Sequence, residues 1–416
     1  MLNQSFDEES LLKLTRKKEI IKFSLGREKK DYKESLKNIS DEISGPGFYF
    51  SELSYFEKDN KKVFFTNNAC EYYAIKKITD NLKRLYRIKF SSRDDISEQA
   101  LRIFEDTSSY RVFRIDIKSF FESVDILKLK NKLELDSLLS YEGKKLLDKL
   151  ISSFPEGFSG LPRGLSISSV LSELFMEDID NKIKSMSEVY YYARYVDDII
   201  IITHDDYMSF EKDIVPIFKY HKLSVNEKTQ ELKISSCNKD NKGEPGKLSL
   251  LGYDYTLYHN CDDLGKRAVK VEISKNKINK IKTRVIKSIF NYDKVNPKSL
   301  RDEVFIKRIA FLSGNYELYS DIKNKKTYHD DMGTLKGGIY YGNRLVNNSL
   351  HLKELNVFLR NSLFCDRNSS FGNAVKKIPM NVRRQAVSNC FMTGFEQRIF
   401  HEFSEEEFNL ISSCWN

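Results

Sequence analysis

The spacing of hydrophobic residues divides the chain into a helical start, a strand-rich middle and a helical end. In residues 8–40, leucines and isoleucines recur at helical spacing within dense mixed charge, which predicts a surface helical extension. Residues 68–88 and 93–105 are also predicted helices. A helix is predicted after Gly164, with an apolar face formed by Ile167, Val170, Leu171, Leu174 and Phe175.

Three short runs in the middle of the chain have the composition of β-strands. Residues 112–117, 190–195 and 199–203 are rich in β-branched and aromatic side chains. After Tyr255 the pattern is again helical, and residues 301–416 are predicted to be mostly helical with two turn-rich breaks. The pattern indicates the α+β class, in which a small antiparallel sheet is backed by helices.

The composition argues against membrane-spanning, secreted, disulfide-bonded and zinc-binding proteins. Of 416 residues, 40% are hydrophobic and 31% charged, which is typical of a globular chain. No run approaches the roughly 20 apolar residues of a membrane-spanning helix, so we expect no membrane partner. The polar, acidic N-terminus does not resemble a secretory signal, and a cytoplasmic location is expected. Six scattered cysteines indicate reduced thiols rather than disulfides or a zinc site.

Positive charge is concentrated late in the chain. The formal net charge is +9, and residues 266–287 contain nine lysines and arginines against one acid, Glu272. A solvated helix face usually mixes signs, so this stretch is compatible with phosphate contact and equally with an ordinary exposed helix.

Two carboxylates stand side by side between the second and third predicted strands. A hairpin through Tyr195, Val196, Asp197 and Asp198 would place both at its tip, where their repulsion is relieved by cations. Aspartates are also common in plain turns. Asp116, near the end of the first predicted strand, supplies a third carboxylate. Three such carboxylates could hold two divalent ions about 3.5–4 Å apart, and their oxygen atoms favour magnesium or manganese over zinc.

Five blocks in this order resemble the palm of reverse transcriptases. They are residues 114–121 (RIDIKSFF), 160–164 (GLPRG), 195–198 (YVDD), 223–229 (LSVNEKT) and 250–253 (LLGY). The resemblance implies a right-hand polymerase with fingers, palm and thumb. It also implies three regions: a helical N-terminal extension at 1–59, fingers and palm at 60–258, and a helical thumb with the C-terminal region at 259–416.

Catalytic roles follow from the resemblance, position by position. Asp116 and Asp197 are implied as the main ligands of two Mg²⁺ ions, or of Mn²⁺, with Asp198 as the supporting carboxylate. The backbone carbonyl of Ile117 is an implied further ligand. Lys228 is implied to stabilise or protonate the pyrophosphate leaving group, although a solvated loop lysine is the plain alternative.

Substrate contacts are implied by the same blocks. Phe121 takes the position of the residue that lies under the sugar and blocks a 2′-hydroxyl, which favours dNTPs; an ordinary core phenylalanine is the alternative. Arg163 and Gly164 would border the nascent base pair, and Arg163 departs from the family, where glutamine is usual. Lys89 and Arg93 would supply cations to the triphosphate.

Nucleic-acid contacts are implied further along the chain. Leu251, Gly252 and Tyr253 resemble the primer-grip turn, and Lys275, Lys277, Lys280, Lys282 and Arg284 would meet the nucleic-acid backbone. The implied partners are an RNA template, a DNA product and dNTPs. Residues 92–96, 311–316 and 337–341 and the C-terminal run from Phe391 to Trp415 resemble bacterial defence-associated reverse transcriptases of the abortive-infection or "unknown group" type. That subgroup implies defence against phage and a non-coding RNA as template or scaffold.

Two other functions remain open. The same fold supports template-independent or protein-primed DNA synthesis, and no residue excludes either; the oligomeric state is also open. A non-catalytic RNA-binding scaffold is the second alternative, but a degenerate copy is expected to lose a metal ligand. Here Asp116, Asp197, Asp198 and Lys228 all stand.

Overall fold

A computed structural model describes residues 2–58, 60–204, 208–227, 229–238, 243–318 and 335–415. The chain forms two compact units. Unit 1 comprises Met1–Ile96 and Ser109–Ser235, and unit 2 comprises Ser97–Ser108 and Ser236–Asn416. Half of the described residues are helical and 17% are in strands, which form small antiparallel sheets, and this confirms the predicted α+β class.

Unit 1 contains more helix than strand. Several begin at a side chain that accepts a backbone N–H: Asp7, Asn68, Asp125 and Ser140 each cap a helix in this way. The helices are α1 (Glu8–Leu14), α2 (Lys17–Lys22), α3 (Lys29–Ser44), α4 (Ala69–Leu85), α5 (Arg93–Phe104, which continues into unit 2), α6 (Phe120–Ser123), α7 (Ile126–Asp136), α8 (Tyr141–Ser152), α9 (Ser166–Lys184) and α10 (Val215–Tyr220).

A four-stranded antiparallel sheet forms the centre of unit 1. Its order is β4 (Val189–Tyr195), β5 (Asp198–Thr203), β3 (Tyr110–Asp116) and β6 (Gln230–Ile234). Ile199, Ile200, Ile201 and Ile202 on β5 are all buried, because this central strand is covered on both faces. The apolar face predicted for α9 is buried as well, and a separate hairpin joins β1 (Ser54–Lys58) to β2 (Lys61–Phe65).

Unit 2 begins with a three-stranded antiparallel sheet, and here the predicted helical pattern after Tyr255 is wrong. The strands are β7 (Gly246–Leu250), β8 (Tyr253–Cys261) and β9 (Arg267–Ile273). Buried residues alternate along β8, as expected for one packed face. Arg267 is 1% exposed and donates to the carbonyls of Asp106, Tyr258 and Ser108. The positive stretch 266–287 is therefore part strand and part helix.

The remainder of unit 2 is mostly helical, as predicted. A second hydrophobic core forms around Phe305, Leu352, Leu355 and Leu359. The helices are α11 (Lys275–Phe290), α12 (Arg301–Ser313), α13 (Leu350–Leu363), α14 (Ser370–Lys376), α15 (Met380–Val387), α16 (Phe391–Glu396) and α17 (Glu405–Ser412); two short strands, β10 (Asn315–Leu318) and β11 (Leu335–Gly338), pair with each other. Within the described ranges, no helix is long and apolar enough to cross a membrane.

Candidate active site

The three predicted carboxylates lie at one end of the unit 1 sheet. Asp116 ends β3, and its Cα partner across the antiparallel ladder is Asp198, the first residue of β5. Asp197 lies in the turn before β5, and its carbonyl accepts a hydrogen bond from the Ile117 amide at 3.4 Å. Val196 in this turn has φ of 59°, a left-handed conformation that is unusual for a β-branched residue.

Electrostatics differ among these carboxyl groups. Burial, followed by the negative charges of Asp198 and Asp116, raises the pKa of Asp197, while nearby Arg163 lowers it in part. Asp198 instead accepts a hydrogen bond from Nη2 of Arg114 at 3.1 Å. Among the described residues, no group of three or more His, Cys, Asp or Glu side chains is already gathered closely enough to hold a metal.

A buried arginine side chain holds the Tyr195–Asp198 turn in place. Arg194, on β4, has a side chain only 5% exposed. Its guanidinium donates to the carboxylates of Glu173 and Asp180, both on α9, at 2.7–3.1 Å. It also donates to the carbonyl of Val196 at 3.2 Å. The strained turn is thus tied to a helix through one side chain.

A second backbone segment runs beside Asp116. The carbonyl of Asp116 accepts from the Asn226 amide at 2.7 Å, and the Lys118 amide donates to the carbonyl of Ser224 at 2.8 Å. Ile117 and Val225 form an antiparallel bridge. The segment that carries Lys228 therefore lies next to the aspartates, although Lys228 itself is outside the described residues.

Phe121 and Arg163 are in contact. The guanidinium carbon of Arg163 lies 5.0 Å from the centre of the Phe121 ring, within the range of a cation–π interaction. Arg163 also forms two hydrogen bonds with the carboxylate of Glu122. Gly164 has φ of 99°, and a Cβ there would lie 2.4 Å from the Phe64 carbonyl oxygen, so this loop packs tightly against β2.

One family model matches the part of the chain that carries these residues. Residues 58–254 match the family model described as reverse transcriptase (RNA-dependent DNA polymerase). This segment is a reverse transcriptase domain. Members of this family are RNA-directed DNA polymerases, which are nucleotidyltransferases, and the match confirms the predicted polymerase fold and the predicted enzyme class for this segment.

Two of the solved structures that are similar to the chain are telomerases. One is apo telomerase from Candida tropicalis truncated from the C-terminal domain, at 16% identity and a TM-score of 0.35, covering 56% of each chain. The other is telomerase from Candida albicans with a fragment of telomeric RNA, at 14% identity and a TM-score of 0.31. It covers 83% of this chain and 53% of that one. The chain thus spans about half the length of either telomerase, and similarity at this level carries no functional assignment. No curated protein sequence matches the chain.

The predicted triphosphate cations also lie in unit 1, in the reverse transcriptase domain. Lys89 is exposed in the connection after α4, and Arg93 begins α5 half-buried. The sequence did not single out Lys61 on β2, yet its charge helps to lower the pKa of Glu122. The β1–β2 hairpin therefore brings a further cation near Arg163.

The predicted primer-grip and nucleic-acid residues lie in unit 2. Leu251 and Gly252, with φ of 47° and 82°, form the tight turn between β7 and β8, and Tyr253 is buried. On α11, Lys275 and Lys280 are exposed. Three other predicted cations contact unit 2 itself: Lys277 donates to the Gly342 carbonyl, Lys282 pairs with Glu354, and Arg284 lies over the Trp415 ring.

Besides Lys61, the sequence analysis does not identify three other residues of the reverse transcriptase domain that contribute to the site. Arg114 stands two positions before Asp116 on the same strand face, a spacing from which its approach to the site could have been inferred. Arg194 comes directly before the Tyr195–Asp198 turn. A charged residue within a predicted strand indicates that a buried partner of opposite charge is needed. Glu122 follows Phe121, but its partner Arg163 lies 41 residues away, so no local pattern identifies it.

Proposed function

We propose that this protein extends a primer 3′-hydroxyl with dNTPs along an RNA template, using two divalent ions held by Asp116, Asp197, Asp198 and the Ile117 carbonyl. The observation that carries the proposal is the convergence of three carboxylates at one sheet end inside a reverse transcriptase domain. Bound ions would activate the attacking hydroxyl and neutralise charge on the departing pyrophosphate.

The donor set fits hard divalent cations. All the proposed ligand atoms are oxygens, which magnesium and manganese prefer, and we propose Mg²⁺ as the physiological ion. Burial is the largest cause of the raised pKa of Asp197, and the negative charges of Asp198 and Asp116 raise it further. A cation relieves that repulsion, so the protein's own residues have an unfavourable arrangement that metal binding offsets.

The nucleotide is proposed to lie between the aspartates and Phe121. Phe121 would select deoxyribose, Arg163 and Gly164 would border the base pair, and Lys89 and Arg93 would meet the triphosphate. The contact between Phe121 and Arg163 supports this proposal because both belong to one cluster whose charge reaches Asp197. Lys228 is proposed to assist departure of pyrophosphate.

Nucleic acid is proposed to contact unit 2 at the turn of Leu251, Gly252 and Tyr253 and at α11. Exposure of Lys275 and Lys280 supports direct phosphate contact by these two. Lys277, Lys282 and Arg284 contribute positive potential to the same helix while they hold unit 2 together.

A role in phage defence with a non-coding RNA is the finer part of the proposal. Its support is the resemblance of four segments to the defence-associated subgroup. Residues 311–316 and 337–341 meet around buried Asn315, whose side chain hydrogen-bonds to Gly394, Ile399 and Tyr340. We propose that the protein acts in the cytoplasm, which its six free thiols support.

Purification with bound nucleic acid tests this proposal. The protein from its native host is supplied with labelled dNTPs or NTPs and Mg²⁺, and bound RNA and products are sequenced. Incorporation of dNTPs complementary to a co-purified RNA, and lost in the Asp197→Ala/Asp198→Ala variant, is the expected result. Products that match no RNA would indicate untemplated synthesis. RNA binding without any incorporation would indicate a scaffold.

A further inference from the structure

Glu122 forms a two-bonded ion pair with Arg163. Nε and Nη2 of Arg163 donate to the two carboxylate oxygens at 2.6 and 2.9 Å. The side chains of Arg163 and Glu122 are 21% and 35% exposed. Two parallel hydrogen bonds fix orientation as well as distance, so the guanidinium plane has a single preferred setting.

The backbone contacts of the loop 160–164 fix the position of Arg163. Gly160 has φ of 83°, and a Cβ there would lie 2.2 Å from the Phe121 carbonyl oxygen. The Leu161 amide donates to that same carbonyl at 2.7 Å, and the Phe64 amide donates to the Arg163 carbonyl at 2.7 Å. The loop 160–164 is therefore docked on α6 at one end and on β2 at the other.

The clamped guanidinium covers Phe121. Its carbon lies 5.0 Å from the Phe121 ring centre, and Phe120 contacts the same ring at 5.4 Å between centres. Phe121 packs partly against the unit 1 core. Core residues and Arg163 together restrict the ring, and Glu122 restricts Arg163.

We infer that Glu122 is a positioning residue for nucleotide sugar selection: by clamping Arg163 it immobilises the Phe121 ring against a ribose 2′-hydroxyl. The inference rests on the proposed function, which makes Phe121 part of the nucleotide site. A steric wall rejects the larger sugar only when displacing the wall costs more free energy than binding releases. A ring that is free to rotate about its side-chain torsions yields to the hydroxyl.

The carboxylate is charged under working conditions. Burial acts to raise the pKa of Glu122, but hydrogen bonds from Arg163 and the backbone, together with the positive charges of Arg163 and Lys61, lower the pKa below its ordinary value. Replacing Glu122 with glutamine keeps the side-chain volume and one acceptor oxygen while removing the charge, so it loosens the clamp with little change in packing.

Sugar selectivity and nucleotide affinity test the inference together. For Glu122→Gln, Glu122→Ala, Phe121→Ala and the Phe121→Ala/Glu122→Ala double variant, kcat/KM is measured for a dNTP and the matching NTP. Equilibrium Kd values for dATP and ATP are measured by calorimetry with Ca²⁺. Glu122→Gln is expected to lower the dNTP:NTP ratio about tenfold, as loss of a charge-assisted hydrogen bond allows. The main change is improved use of NTP.

The double variant separates sugar selection from loop support. If Glu122 acts through the ring, its removal changes selectivity little once Phe121 is alanine, and the two effects are not additive. Glu177→Gln is the matched control, because Glu177 pairs with Lys132 at 2.9 Å; it is expected to keep wild-type selectivity.

Three outcomes overturn the inference. Folded Glu122→Gln with a dNTP:NTP ratio within twofold of wild type contradicts it, as do additive effects in the double variant. In both cases wild-type dNTP incorporation still supports the proposed function. A wild-type protein that neither binds nor incorporates nucleotides defeats the proposed function and this inference with it.

Discussion

Replacing Arg194 with methionine is expected to destabilise unit 1 and to disturb the aspartate turn. The side chain is 5% exposed and bonds to Glu173, to Asp180 and to the Val196 carbonyl. Methionine fills a similar volume but has no donor. Two carboxylates and one carbonyl oxygen then lose their shared cation.

The magnitude follows from that loss. Removing one partner of a buried ion pair costs about 3–5 kcal/mol. The side chains of Glu173 and Asp180 are 21% and 14% exposed, so water relieves part of the penalty and we expect about 3 kcal/mol. In a domain of 150–250 residues this corresponds to a fall in Tm of roughly 6–12 °C.

Urea and thermal unfolding followed by circular dichroism measure the effect. Adding Glu173→Gln and Asp180→Asn to Arg194→Met removes the stranded charges, and this triple variant is expected to recover most of the lost stability. Arg194→Lys keeps the charge but cannot bridge all three acceptors, so it should lie between wild type and Arg194→Met. The reasoning is refuted if Arg194→Met unfolds within about 1 kcal/mol of wild type, or if the triple variant is less stable than the single one.

Three further predictions concern the aspartates, the 160–164 loop and α11. Because the pKa of Asp197 is raised by burial and by acidic neighbours, its ionised form costs stability above its ordinary pKa of 3.8. Asp197→Asn should therefore raise the metal-free unfolding free energy by about 0.5–2 kcal/mol and abolish stabilisation by Mg²⁺ in thermal melts; unchanged Mg²⁺ stabilisation would contradict this. Gly160→Ala should cost about 1–3 kcal/mol in urea unfolding, more than Gly157→Ala, where a Cβ meets nothing within 4 Å; equal costs would count against the close contact. Replacing Lys275 and Lys280 with alanine should weaken binding of an RNA–DNA hybrid and reduce the slope of log K against log salt by roughly 1–2; an unchanged slope would exclude their phosphate contacts.

The sequence pattern predicted the sheet that carries the aspartates because its strands are local and apolar. Residues 112–117 and 199–203 lie almost wholly within β3 and β5, and pairing of neighbouring runs placed Asp116 opposite Asp198. Strand β8 was missed although Tyr253, Tyr255 and Leu257 alternate with less buried residues. The sequence pattern places Arg267 of β9 in an exposed positive stretch, but its side chain is buried. The backbone carbonyls that accept its hydrogen bonds make this burial possible, and most of them lie far from it in the sequence.

The site could be predicted only in part, because several of its ion pairs join residues that are far apart in the sequence. Arg163 was expected to contact substrate, yet its fork is engaged by Glu122. The positive run on α11 looked one-sided because its acceptors, such as Glu354 and the Gly342 carbonyl, come from distant segments. The spacing of hydrophobic residues predicts which face of a helix or strand is buried. Ion pairs depend instead on which elements the tertiary fold brings together.

The proposed two-metal polymerase activity can be tested by single-nucleotide extension of a DNA primer on a defined RNA template. Rates are measured with Mg²⁺ for wild type, for Asp116→Asn and for the Asp197→Ala/Asp198→Ala variant, with Glu177→Gln as the control. We expect template-directed dNTP addition by wild type and the control, and a loss of at least about 10³-fold in both aspartate variants. Undiminished extension by either aspartate variant would contradict it.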